Sequence, residues 1–387
     1  MNDPIVVFRE AVQSKYRIQL SAPDIQEEDV ALVTQAVRSG RLSAGRFLER
    51  LESDFADYIG SRYAVGVANG TAGLHLCIRA AEIADGDEVI TSPFSFIATA
   101  NCILYERGKP VFVDIDADSF NLDPAQVERS MSPRTRAVLA VHVFGEPCAL
   151  NALQAVCRDR DLVLIEDACE AVGAEYNGRK VGTFGKAAVF SFYPNKAMTL
   201  GEGGIVTTDD PRWASVMQSL RNQGRSDGGK GFGHELLGYN YRLDEMSAAL
   251  GVAQLARLDR LLAQRQAVAI RYTELLRRVP GVTVRTAGPL ATRPSWFVFA
   301  IQLDPSIDRD QVMTLLDARG IPSRVYFTPI HLQPYYRTRF GFRPGDFPVA
   351  ERVAASILAL PFHTNLSESE THEVVDALQS AIMRAWA

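Results

Sequence analysis

Three stretches of this sequence bring together residue types able to do chemistry. In Ala68–His75, ANGTAGLH, small residues follow a strand-like run and open a helical one. A helix N-terminus offers unpaired N–H groups and a partial positive charge, so Gly70 and Thr71 are placed to bring backbone amides close to a phosphate. A plain turn and cap use the same residues, and this stretch alone decides nothing. It is neither the GxGxxG of dinucleotide binders nor a nucleotide P-loop, which ends in lysine. The second stretch is LVLIED, whose closing Asp167 can hold a cationic ring nitrogen and stay ionised beside it, or can simply cap a helix. The third is Lys196 in SFYPNKAMTLGEGG, an amine in a loop, where a lysine is ordinarily a solvated charge.

The elements that must carry these residues give them weight. Strand-like runs at Ala64–Ala68, Glu88–Thr91, Pro110–Val113, Ala137–His142, Leu162–Ile165 and Ala187–Phe192 are mostly separated by helical stretches. An earlier helix shows Phe47, Leu48, Leu51 and Phe55 at helical spacing. Such alternation predicts an α/β fold with a mostly parallel sheet covered on both faces, which binds ligands at the edge where its strands end. Each of the three stretches falls just after a strand, at that edge. Gly204–Thr207 resumes the strand pattern, so the glycines before it predict a tight reversal. Arg225–Gly233, RSDGGKGFG, is the most loop-like stretch and is expected to be mobile or to gate the site. A long helical segment from about Asp244 to Arg278 leads into a second region with a strand at Trp296–Gln302 and a helix at Arg309–Arg319. The expected layout is an N-terminal extension over 1–19, a large domain over 20–260 and a smaller C-terminal α/β domain over 261–387.

Phosphate cradle, acid and amine, in this order and each after its own strand, are together what pyridoxal 5'-phosphate requires: an anchor, a partner for the pyridinium nitrogen and an amine to form the imine. With GTAGLH, IEDACEAVGA, SFYPNKAMTLGEGG, GYNYRLDEMSAALG and TPIHLQPYY present in order, the chain resembles the DegT/DnrJ/StrS-type sugar aminotransferases from about Leu20 to its C-terminus. The resemblance implies an aspartate-aminotransferase-like fold, type I among pyridoxal-phosphate enzymes. It makes Lys196 the Schiff-base lysine and Asp167 the partner of the pyridine nitrogen. Gly70, Thr71 and Ser191 would hold the phosphate, with Ala72 beside them in the cofactor-binding set, and Phe96 would stack on the ring. Glu170 would stand near the cofactor phenolate or the substrate. Asn240 would reach from the neighbouring subunit to the phosphate, which makes the site a property of a homodimer. His331 would lie near the sugar, although a lone histidine can equally be structural. One departure, EPCALN at Glu146–Asn151, replaces a segment where relatives commonly carry two aspartates, and is expected to touch loop structure.

The resemblance further implies transfer of an amino group from glutamate to a nucleotide-linked 4-keto-deoxysugar. TLGEGG and GYNYRL are similar to members that aminate carbon four, whereas those acting at carbon three more often carry Asp in place of Glu202. The alternatives are a 3-keto sugar aminotransferase, an aminating synthase acting on a cyclic ketone, and a cofactor-binding regulator without turnover. The intact Lys196 and Asp167 disfavour the regulator. A nicotinamide dehydrogenase would need the missing glycine fingerprint.

Composition narrows the field further. The 387 residues are 47% hydrophobic and 22% charged, with a formal net charge of -5. Scattered Lys and Arg argue against a nucleic-acid partner, and no run approaches the roughly 18 apolar residues of a membrane span. Five cysteines without paired spacing argue against a disulfide framework or a zinc site, and fit a reducing cytoplasm. The acidic residues flanking the short apolar run near the N-terminus are unlike a signal peptide.

Overall fold

The computed structural model describes residues 15–225, 233–285, 288 and 291–386. Its frame is a seven-stranded sheet in the order β1-β7-β6-β5-β4-β2-β3. The strands are β1 (Tyr63–Val67), β2 (Glu88–Thr91), β3 (Lys109–Phe112), β4 (Thr135–Val141), β5 (Val163–Asp167), β6 (Ala187–Ser191) and β7 (Gly204–Thr208). Side chains alternate between the faces of a strand, and here both faces are buried. In β4, Val138 and Ala140 enter one hydrophobic core while Ala137 and Leu139 enter another. Phe190 and Val189 of β6 divide in the same way. That double burial is why these strands read as continuous apolar runs.

β7 runs antiparallel to both β1 and β6, and the other strand pairs are parallel. The chain does reverse and places Ser191 opposite Gly204, but through a long excursion over residues 192–203 and not the tight turn expected from the glycines. Helix α1 (Glu27–Arg38) precedes α2 (Arg46–Ile59). The apolar stripe of α2, Phe47, Leu48, Leu51 and Phe55, packs on one face of the sheet, each side chain contributing about 1.5–3 kcal/mol through burial. Helices α3 (Gly70–Ala80) and α4 (Ala98–Tyr105) cover the other face.

One helix, α1, was not expected from the sequence, and two further local expectations need correction. α1 fully buries only Asp29 and Ala36, while its apolar Val30 and Val37 stay exposed. The segment expected as one long helix is two, α5 (Glu245–Leu255) and α6 (Leu258–Leu276). Between them Arg257 leaves helical geometry, and its guanidinium is bound to the Asp24 and Asp29 carboxylates, a tertiary anchor that periodicity does not show. The strand expected from Trp296 starts at Phe299, because the Trp296 and Phe297 carbonyls accept from the buried Arg265 guanidinium instead of a neighbouring strand.

A second, antiparallel sheet joins Val282–Val284, Phe299–Leu303 and Ile357–Leu360. α6 connects the two regions: Leu258, Leu261 and Leu262 lie in the first core, Val268, Tyr272 and Leu276 in the second. Ile18 belongs to the second core, and Lys15 pairs with Asp317, so the described end of the N-terminal stretch packs there. Among the described residues no helix is long and apolar enough to cross a membrane. Of the expected gating stretch, residues 226–232 lie outside the described residues.

Candidate active site

β4, β5 and β6 end at the same edge of the sheet, and a cavity of about 570 Å³ opens there. Asn69 leads from β1 into α3, and its side chain caps the helix by accepting from the Ala72 N–H at 2.9 Å. The Ala72 amide is thereby used, while those of Gly70 and Thr71 are the first two of the helix and have no intrahelical acceptor. Gly70 is required as glycine: a Cβ there would stand 2.8 Å from the Ser191 Cβ and 3.0 Å from the Cys169 Sγ. Gly204 similarly lets the start of β7 press against the Asn69 and Gly70 backbone. The result is a tight cradle of two amides and the Ser191 hydroxyl.

Asp167 closes β5 and is 4% exposed. One carboxylate oxygen accepts the Thr99 O–H at 2.7 Å, and Thr99 in turn meets the Ser95 hydroxyl at 2.8 Å. The other accepts the Cys169 N–H at 3.2 Å. No Lys, Arg or His among the described residues forms an ion pair with it. A buried carboxylate held only by neutral donors suits a cationic partner entering the cavity.

Lys196 sits in the excursion between β6 and β7, pinned by Phe192 N–H to Gly203 C=O and Leu200 N–H to Phe192 C=O. Its Nζ lies 3.9 Å from the centroid of the Phe297 ring, a cation–π contact across the two regions. Glu170 lines the same cavity and accepts the Phe144 N–H at 2.8 Å. Burial pushes its carboxyl up to about 7 and Asp167 adds to this, whereas Lys196 and the Phe144 amide pull it down. Glu170 therefore exchanges a proton near neutrality.

That raised value has a testable sign. The folded chain holds this proton more tightly than the unfolded one, so the group's stabilising contribution is complete below about 4.5 and is lost as pH rises through about 7. Glu170→Gln is expected to melt higher than the wild type at pH 8, with little difference at pH 4, and to flatten the pH dependence of kcat/KM between about 6 and 8. Thermal melts and rate profiles of the two proteins check this, and identical pH dependences would remove Glu170 from the titrating groups.

Cradle, acid and amine fit pyridoxal phosphate by charge and by the space left at Gly70. Solved structures of the same architecture are aminotransferases. S. venezuelae DesV aligns with a TM-score of 0.86 at 37% identity, covering 92% of this chain and 94% of DesV. Helicobacter pylori PseC, an aminotransferase involved in the biosynthesis of pseudoaminic acid, aligns at 0.90 and 29%, covering 95% and 99%. Fold and comparisons together define a pyridoxal-phosphate-dependent sugar aminotransferase. Residues 23–379 match the DegT/DnrJ/EryC1/StrS aminotransferase family, and the chain belongs to it. Among its relatives, the GDP-perosamine synthase of Caulobacter vibrioides is 38% identical over 370 residues, 95% of this chain and 99% of that protein.

Of the residues singled out from sequence, Gly70, Thr71, Phe96, Asp167, Glu170, Ser191 and Lys196 all line the cavity. Phe96 is 61% exposed at its rim. Ala72 does not line it, being buried inside α3. Asn240 is exposed on the surface of its own chain and lies outside the lining. His331 also lies outside: it is fully buried, its Nε2 meets Glu351 at 3.0 Å and its ring packs on Phe347, so in this chain it has the surroundings of a structural histidine. The EPCALN segment is likewise absent from the lining. Sequence reasoning missed Ser95 and Thr99, which flank Phe96, and Phe297, Arg324 and Tyr326, which come from the second region. The four-residue spacing of Ser95 and Thr99 at a helix start was a usable signal. For the other three there was none.

Proposed function

We propose that this chain transfers an amino group from glutamate to carbon four of a nucleotide-linked 4-keto-deoxysugar, as a homodimer whose active sites are shared across the interface. The observation that carries the reading is the convergence of Lys196, Asp167, Glu170 and the Gly70–Thr71 cradle on one cavity large enough for a drug-sized ligand. Similarity to a GDP-perosamine synthase supports a nucleotide-linked sugar. Glu202 lines the cavity with Lys196, where it can influence how the sugar ring is turned, and the resemblance associates Glu at this position with amination at carbon four. The five cysteines are all free thiols, which supports a cytoplasmic setting.

When bound, pyridoxal phosphate supplies an electron sink for the pair left on carbon as a proton departs. Lys196 Nζ takes that proton and returns it, since it is the cavity amine on the mobile end of a four-carbon stem. Asp167 holds the proton on the ring nitrogen through its buried carboxylate. Gly70, Thr71 and Ser191 would hold the phosphate, and Phe96, at the cavity rim, would stack on the ring.

Incubation with a panel of nucleotide-linked 3-keto and 4-keto sugars plus glutamate, followed by mass analysis and location of the new nitrogen, tests the substrate. Nitrogen on carbon four is expected. Nitrogen on carbon three, or acceptance of free keto acids alone, would overturn the substrate while leaving the cofactor chemistry intact. Sharing across the interface has its own test. Lys196→Ala is expected to be nearly inactive and Asn240→Ala to be poorly loaded at limiting cofactor, and mixing them there should restore activity through hybrid dimers with one intact site. No recovery on mixing would count against a shared site.

A further inference from the structure

We infer that Glu106, with His75, Tyr239 and Tyr241, forms a brace that sets the position of Asn240, making Glu106 a positioning residue for cofactor binding in the partner subunit. The inference rests on the reading that Asn240 serves the neighbouring site.

Residues 239–241 run extended between the end of the helix Pro211–Arg221 and the end of β1. Tyr239 N–H donates to Leu220 C=O, Tyr241 N–H to Arg221 C=O, and Tyr241 C=O accepts the Ala68 N–H at 2.9 Å, one residue before the capping Asn69. Alternation along an extended segment puts Tyr239 and Tyr241 on one side and Asn240 on the other. The two tyrosines stack with centroids 5.0 Å apart and planes 12° from parallel, while Asn240 is exposed. What fixes this alternation is the cluster beneath the rings. Glu106 accepts the Tyr239 O–H at 2.9 Å and meets the His75 Nε2 at 2.8 Å. His75 Nδ1 lies 3.0 Å from the Tyr241 hydroxyl, and burial pushes the imidazole toward its neutral form. A neutral ring with Nε2–H donating to Glu106 and Nδ1 accepting from Tyr241 satisfies every member. Arg79 lies 3.5 Å from the second Glu106 oxygen.

These groups touch neither the cavity nor the reacting atoms. They nevertheless hang on α3, the helix whose first turn is the phosphate cradle, and His75 lies one turn beyond Thr71. One helix thus anchors the cradle of its own chain and, through the stacked tyrosines, the residue offered outward to the partner. A network in which each polar group is satisfied holds a unique geometry, and loss of one member leaves the others underpaired.

The test is the pyridoxal-phosphate dissociation constant, read from the visible absorbance of holoenzyme on serial dilution, with thermal melts alongside. Glu106→Ala is expected to raise the constant on the order of tenfold, equivalent to about 1.4 kcal/mol. Glu106→Gln, which keeps an acceptor for the Tyr239 hydroxyl, should remain near wild type, and Tyr239→Phe should follow Glu106→Ala while keeping the stacked rings. Combining Glu106→Ala with Asn240→Ala should weaken binding no further than Asn240→Ala does. A lower melting temperature with an unchanged dissociation constant in Glu106→Ala and Tyr239→Phe would overturn the brace, as would losses that multiply in the double variant. If Asn240→Ala itself leaves cofactor binding unchanged, the shared-site reading is what fails, and the brace with it.

Discussion

Lys196→Ala is expected to fold normally and to lose transamination by roughly 10²–10⁴-fold, the range that a positioned general base contributes. The fold should survive because the side chain is half-buried and its ring contact is with Phe297 at the cavity wall. The loss should be large because it falls on proton transfer, the step for which no other lysine among the described residues is placed. Lys180 reaches the Tyr58 carbonyl and Lys186 pairs with Asp210, both remote from the cavity lining. Turnover of glutamate with the acceptor sugar, compared with the wild type at saturating cofactor, checks the size of the effect. Turnover within a few-fold of wild type would return Lys196 to the status of an ordinary loop charge.

Asp167→Asn carries the second-largest expected effect, a fall of about 10²–10³-fold in kcat with partial retention of cofactor, comparable to removing one preorganised electrostatic partner. The substitution is nearly isosteric, and the amide oxygen can still accept from Thr99 or Cys169, so the sheet edge should stay intact. What it removes is the negative charge that, in the proposed mechanism, would keep a ring nitrogen protonated. Measured kcat, together with the far-ultraviolet circular dichroism that reports the fold, separates the two roles. Near-normal turnover would leave Asp167 as a turn residue that happens to close a strand.

The main sheet was legible because its strands are buried on both faces and therefore appear as uninterrupted apolar runs, and because the cradle, the acid and the lysine each follow one of them. α2 was legible through a four-residue apolar stripe, whereas α1 was not, since its twelve residues bury little but a capping Asp29 and Ala36. The break at Arg257 was hidden because neither glycine nor proline marks it. An ion pair to residues more than two hundred positions earlier creates it. The same limit applies at the cavity. Phe297, Arg324 and Tyr326 arrive from a region whose contact with Lys196 exists only after both sheets have formed. His331 shows the converse. Its motif draws attention to it, yet Glu351 and Phe347 enclose it away from the cavity, and a motif carries no information about which neighbours surround it.

The central claim is that this cavity holds pyridoxal phosphate on Lys196. Borohydride treatment of the yellow holoenzyme, followed by peptide mapping, tests it most directly. The label is expected on the peptide containing SFYPNKAMTLGEGG, at Lys196. A label on Lys180, Lys186 or Lys230, or none in any peptide of a cofactor-loaded protein, would contradict the assignment.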